Sequence, residues 1–367
     1  MSEPVLRVLA AHPPGPGRRE FLGLSLTALA WLGLSGCSGP SRRSLNIFNY
    51  SNYIAPDTIS RFRAQTGIAV IYDEFSSQDV LFAKLKLGAG YDLVVASDYM
   101  LRRLLRQELL APLDGFANRN GMMERFRHPP WDPDLRFSVP YLWGTTGIGY
   151  NRRRVRRVPD SWNALWDPAY RGHITMLDEK RDTLGASLIR LGHSGNSMSR
   201  AELEAASRAL EEQKPLVKQY TNDYIDGLAR NEIWLALAWS GDVARARDSN
   251  PDVDYVLPRE GSFVFVDSWC VPRDAPHPRE AITFLNYLMQ PEPLAQVTNA
   301  TGFPSTLAEA CRLVRTDLLE NPLGYPPRDM LDRTFFQEDL GPGERLWDQV
   351  WDQLKFRSGP DLPQTSP

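Results

Sequence analysis

Leu45-Asn46-Ile47-Phe48-Asn49-Tyr50, Ile68 to Phe75 and Tyr91-Asp92-Leu93-Val94-Val95-Ala96 are three short apolar runs, and what lies between them decides the fold. Ala55-Pro56-Asp57 opens a helix, since proline suits a first turn, with Ile59 and Phe62 facing inward until Gly67 stops it. Asp79 to Leu87 and Met100 to Glu108 carry the same helical spacing. Strands that alternate with helices predict a parallel sheet covered on both faces, hence an α/β protein.

The alternation resumes further along. Strands are predicted at Gly172 to Leu177, Ile233 to Trp239 and Ser262 to Val271, and helices at Thr183 to Leu191, Arg200 to Gln213 and Pro278 to Met289, with the last third mostly helical. Two α/β lobes fit this pattern better than one. The extended stretches Ser138 to Asn151 and Ser262 to Val271 are suited to crossing between them.

The N-terminus points to export. Arg18-Arg19-Glu20-Phe21-Leu22 is a twin-arginine pair leading into an apolar run that ends at Leu34, too short for a permanent membrane span and suited to a removable signal. Leu34-Ser35-Gly36-Cys37 follows and resembles the bacterial lipobox, with Cys37 the expected lipidated residue and residues 37–44 a flexible tether. Removing residues 1–36 leaves roughly 330 of the 367, enough for about two domains. A net charge of −3 and no basic stripe argue against nucleic acid. Cys270 and Cys311 alone make no disulfide framework and are expected as buried free thiols, while residues 359–367 read as a disordered tail.

In open α/β sheets a ligand binds beyond the carboxyl ends of the strands. Five places satisfy that rule here: Tyr50-Ser51-Asn52-Tyr53, Ser97-Asp98-Tyr99, Asp178-Glu179-Lys180-Arg181-Asp182, Trp239-Ser240-Gly241-Asp242, and the strand bearing Phe265 and Asp267. On that last strand, period-two alternation sets Phe263, Phe265, Asp267 and Trp269 on one face, with Val264 and Val266 on the other. Acids among rings suit an organic polycation: carboxylates replace the water around ammonium ends, and ring faces cover the methylene spacers. Each element also has a plainer use. Asp178 to Asp182 reads as a solvated charge run, Trp239 as core, Tyr50 and Tyr53 as a surface pair, and Asp242 as the cap of a helix from Val243 to Arg247. Asp267 resists such an explanation, because an acid within a Phe/Val/Trp strand is costly to bury unpartnered.

Catalytic signatures are absent. There is no phosphate-cradling glycine loop, no Gly-x-Ser-x-Gly elbow and no Cys-x-x-Cys pair. His128, His173, His193 and His277 show no i, i+4 spacing, so neither a metal site nor a cofactor is expected. The paired acids Glu179 and Asp182 leave a glycoside hydrolase as a weak alternative. Receptors for thiamine or ferric iron are nearer alternatives, although no Tyr-Tyr pair of the kind iron receptors favour occurs.

Five segments, in order, carry a family likeness: Phe48 to Ile54, Tyr91 to Tyr99, Pro140-Tyr141-Leu142-Trp143-Gly144-Thr145-Thr146-Gly147-Ile148-Gly149, Leu191-Gly192-His193-Ser194-Gly195-Asn196, and Phe284 to Pro291. Together they resemble the spermidine/putrescine-binding proteins of bacterial polyamine ABC transporters, from about Leu45 to about Lys355. The resemblance implies a type II periplasmic-binding-protein fold whose two lobes, each of two segments, close by a hinge on a polyamine. Residues 45–145 with 268–310 would form lobe 1, and 146–267 with 311–358 lobe 2. It implies an aromatic box of Tyr50, Tyr53, Trp239, Phe265 and Phe303, acids Glu179, Asp182, Asp267 and Asp242 for the ammonium groups, and hydrogen bonds from Ser51, Ser97, Tyr99 and Gln337. Phe303 and Gln337 come from the resemblance alone. Asn52 stands where members commonly carry an acid. The implied protein is a monomeric lipoprotein, anchored at Cys37, that delivers its cargo to a membrane permease and catalyses nothing itself.

Overall fold

The computed structural model describes residues 43–320, 325, 326 and 328–356. The twin-arginine signal, Cys37, the tether up to residue 42 and the tail at 359–367 lie outside them.

In chain order the first elements are β1 (Ser44–Tyr50), α1 (Thr58–Thr66), β2 (Ala69–Phe75), α2 (Gln78–Lys86), β3 (Leu93–Ser97), α3 (Asp98–Arg106), β4 (Leu110–Ala111), α4 (Glu124–Arg127) and β5 (Ser138–Asn151). Next come β6 (Ile174–Met176), α5 (Lys180–Arg190), α6 (Arg200–Gln213), β7 (Val217–Tyr220), α7 (Ile225–Ala229), β8 (Leu235–Trp239), α8 (Ser240–Ser249), β9 (Val253–Val256) and β10 (Ser262–Pro272). The chain continues through α9 (Pro278–Leu288), α10 (Pro291–Thr301), α11 (Thr316–Leu319), α12 (Arg328–Leu331), β11 (Thr334–Phe336) and α13 (Glu344–Phe356).

The expected helices form for the expected local reasons. Gly67 ends α1 in the left-handed conformation at φ 71, donating its N–H to the Arg63 carbonyl, a role glycine fills without a Cβ clash. Ser77 caps α2 by accepting from the Val80 N–H, with Asp79 in the first turn and Lys84 and Lys86 in the last. The largest shifts among the helix starts are at α5, which begins at Lys180, and α8, which begins at Ser240, each three residues before the predicted start; α8 turns directly off the end of β8. Beyond α10, β11 adds a strand to a region expected to be mostly helical.

The strand order is β2-β1-β3-β10-β5-β8-β6-β7. β1 pairs in parallel with β2 and β3, and β6 with β7 and β8. The long strands β10 and β5 join these parallel ends by antiparallel pairing. The sheet is therefore mixed, and the two segments expected to cross between lobes are its centre. Their side chains enter separate cores. Ile148 and Phe263 pack with Trp162, Leu235 and Trp347, whereas Leu142 and Trp269 pack with Leu45, Phe62 and Phe284. Trp143, Val266 and Cys270 serve a further cluster around Met100 and Phe48. Val314 and Leu318 also join the core built on Leu45. No helix of the described residues is long and apolar enough to cross a membrane.

Candidate functional site

The carboxyl ends of β1, β3 and β8, and the segment after β6, open onto one cavity of about 730 Å³ beside the middle of β10. Every residue expected at the site lines it: Tyr50, Ser51, Asn52 and Tyr53 after β1; Ser97 and Tyr99 after β3; Glu179 and Asp182 at the start of α5; Trp239 and Asp242 where β8 becomes α8; Phe265 and Asp267 on β10; Phe303 after α10; and Gln337 after β11. The alternation read on β10 explains the division of labour along it. Phe263 and Trp269 bury at its two ends in different cores, so only Phe265 and Asp267 face the gap between.

Rings form one wall by edge-to-face contacts. Tyr53 meets Tyr50 at 5.6 Å and Phe303 at 5.0 Å, and Phe303 meets Phe265 at 6.1 Å. Gly241 permits this packing, since a Cβ there would lie 2.4 Å from the Phe303 ring. Tyr50 and Tyr53 are thus no surface pair: Tyr53 is buried, and the Tyr141 hydroxyl donates to its carbonyl at 2.9 Å. Trp239 is only partly buried: it packs against both the core around Leu235 and the core around Leu45, and it also lines the cavity.

Four carboxylates face those rings. Asp267 is 4% exposed and accepts from the Tyr53 hydroxyl at 2.6 Å. Burial pushes its pKa from 3.8 up to about 7, with Asp182 adding to the rise. Asp182 accepts from the Thr146 hydroxyl at 2.5 Å, and its pKa is raised by burial. Glu179 is 6% exposed, receives one long bond from the Gln78 N–H at 3.4 Å, and is raised well above the ordinary range by burial and then by Asp182 and Asp79. Asp242 accepts from the Tyr224 hydroxyl at 2.9 Å rather than capping α8, and burial lifts it to about 6. None of the four is ion-paired with a Lys, Arg or His among the described residues. Buried carboxylates held only by neutral donors favour any cation that can reach them.

The run Asp178 to Asp182 departs most from its sequence reading. Residues 179–182 are buried, not solvated, because each charge finds a use. The Arg181 guanidinium lies between the Tyr99 and Trp347 rings, 4.9 Å from each, and donates to Asn196 Oδ1 and the Glu338 carbonyl. Asn196 thereby gives the Leu191 to Asn196 motif a structural purpose. Lys180 Nζ enters a cage of Asp79, Glu344 and Asp348, the three carboxylates among the described residues close enough to share a metal ion. Asn52 sits at φ 57, a left-handed conformation asparagine tolerates, and accepts from Arg245 at 3.3 Å.

Sequence reading overlooked several members. Gln78 is buried, donates to the Tyr50 hydroxyl at 2.7 Å and accepts from the Ser97 N–H at 3.3 Å, setting the Tyr50 ring. The end of β7 and the residues that follow it, Tyr220 to Asp223, line the cavity, as do Trp351, Asp352 and Lys355 of α13. Strand β7 is short and carries Lys218 and Gln219, so it gave no apolar signal; recognising it would have added its end by the strand-end rule. Both described cysteines are free as expected, Cys270 buried and Cys311 only partly so.

Comparison with known proteins accords with this geometry. Residues 57–315 match the family described as bacterial extracellular solute-binding protein. The chain is 30% identical over 342 residues to the spermidine/putrescine-binding periplasmic protein of Escherichia coli, covering 90% of this chain and 97% of that one. It is 32% identical over 355 residues to the putrescine-binding periplasmic protein PotF of the same organism, covering 87% and 93%. The crystal structure of the TpPotD lipoprotein of Treponema pallidum superposes with a TM-score of 0.75 at 27% identity, over 86% of this chain and 100% of that one. The fold is that of the periplasmic binding proteins, and the chain belongs to the bacterial extracellular solute-binding protein family.

Proposed function

We propose that this protein is the substrate-binding lipoprotein of an ABC importer, capturing a polyamine between two lobes that close by a hinge and delivering it to a membrane permease. One observation carries the reading: four carboxylates without a cationic partner and a wall of aromatic rings face the same cavity. The relatives named for spermidine and putrescine support the same cargo class. Lobe 1 comprises residues 45–145 with 268–310 and lobe 2 residues 146–267 with 311–358, the segment around Val314 and Leu318 packing back onto lobe 1. The protein is exported, held to a membrane through lipid on Cys37, monomeric, free of cofactor and without catalytic activity of its own.

Calorimetry on the chain from Ser38 onward with putrescine, spermidine, thiamine and a neutral oligosaccharide tests the reading. Heat with the amines alone supports it; binding of the sugar or of thiamine in their place overturns it. Cys37→Ser is expected to move the protein from the membrane to the soluble exported fraction, and an unchanged distribution would dismiss the anchor.

A further inference from the structure

The chain carries a net charge of −3, yet five of the six residues from Arg152 to Arg157 are arginine, a basic run that the whole-chain balance conceals. It follows β5 directly, and all five arginines are exposed while Val155 between them packs into the core around Leu235. Much of this charge is unneutralised. Arg152 reaches Asp254 only at 4.0 Å and Arg153 meets Asp252 at 2.6 Å, whereas Arg154, Arg156 and Arg157 form no ion pair among the described residues. The Arg154 guanidinium lies instead over the partly exposed Trp234 ring at 5.3 Å, and Trp234 stacks in turn on His173 at 3.7 Å. Val158, 58% exposed, follows the run.

The place of this patch in the fold narrows its partner. Trp234 and His173 stand just before β8 and β6, whose other ends lead to the cavity, so the patch occupies the far end of that half of the sheet. Strand β1 starts at the far end of the opposite half, where the segment bearing Cys37 joins the fold. Strand β5, 14 residues and about 45 Å long, runs from one half to the other. Guanidinium groups pair with phosphate oxygens two bonds at a time, and an indole beside them suits the headgroup level of a bilayer. A lipid on Cys37 keeps such a surface within reach at high local concentration.

Resting on the anchored-lipoprotein reading above, we infer that the turn from Arg152 to Arg157 is a second membrane contact that takes anionic phospholipid headgroups, so that anchor and turn together lay β5 along the bilayer.

The test is co-sedimentation of the chain from Ser38 onward, which lacks the anchor, with vesicles of phosphatidylcholine alone and of equimolar phosphatidylcholine and phosphatidylglycerol. Binding is expected to the anionic vesicles at low salt only, since exposed charges are screened at high salt. Arg156→Gln with Arg157→Gln removes two unpaired charges and should lower that binding by about 30-fold, with an unchanged melting temperature as the control for folding. Arg208→Gln with Arg279→Gln, exposed positions on α6 and α9, makes the same change in net charge and should leave binding within about three-fold. Equal binding to both vesicles, an equal loss in the two double variants, or no binding to either vesicle, as a turn that meets an acidic protein face would give, overturns the inference. The anchor is read separately from the fractionation of Cys37→Ser and stands or falls by that result.

Discussion

Replacing Asp267 by asparagine tests the electrostatics of the cavity most directly. The change is isosteric, and the asparagine oxygen can still accept from the Tyr53 hydroxyl at 2.6 Å, so the rings keep their places. What is lost is a charge that burial already resists, lifting the carboxyl from 3.8 to about 7. An ammonium that returns the carboxyl to its ordinary acidity lowers its proton affinity by about three decades, a coupling of roughly 4 kcal/mol. Ionising the half-protonated group at pH 7 subtracts only about 0.4 kcal/mol. Allowing for the neutral acceptor that remains, polyamine binding should weaken by about 2 to 4 kcal/mol, some 30- to 1,000-fold by calorimetry at pH 7. The unliganded protein should respond the other way. Between about pH 4 and pH 7 the folded form holds the Asp267 proton and the unfolded chain does not, so wild-type stability falls as pH rises through that window. Asparagine has no such proton, and the melting temperature of the variant relative to wild type should rise from pH 5 to pH 8. Unchanged affinity in a well-folded variant, or a relative melting temperature that falls over that range, refutes the reasoning.

Three other outcomes follow from the same structure. With Asp267 at about 7 and Asp242 at about 6 before binding, a cation must displace both protons in acid, so affinity should drop by roughly 10²- to 10³-fold from pH 8 to pH 5; a flat profile by calorimetry contradicts this. Trp239→Ala removes a ring that lines the cavity and should cost about 1 to 3 kcal/mol of binding with little change in the pH profile, measured by the same titrations. Lys180→Met leaves Glu344, Asp79 and Asp348 facing one another, and because the last two are 51% and 43% exposed the loss should lie near about 3 kcal/mol, read from the urea midpoint; an unshifted midpoint denies the cage a structural role.

Much of the site could be read without coordinates because strand ends leave local signatures. Tyr50, Tyr53, Trp239 and Asp267 each stand where an apolar run stops or where an acid interrupts one, and the rule about carboxyl ends then gathers them. Phe303 and Gln337 had no such signature. Each follows an element distant in sequence, and a likeness to a family, not periodicity, brought them forward. Gln78 and Tyr224 escaped notice altogether, since an ordinary polar residue acquires its role only through the hydroxyl or amide it meets across the fold.

The charge run 178–182 marks the limit most sharply. As sequence it reads as a solvated loop; in the fold, Lys180 finds three carboxylates from α2 and α13, Arg181 finds two rings, and Glu179 and Asp182 are left facing the cavity. The amino-acid order by itself determined the alternating elements, their inward faces and the strand ends at which a ligand could be met, because those depend on residues within a turn or a pleat of each other. Tertiary structure alone decided which charges are neutralised and which remain for a cation, because Coulomb partners and desolvation are set by residues that lie up to 241 positions apart in the chain.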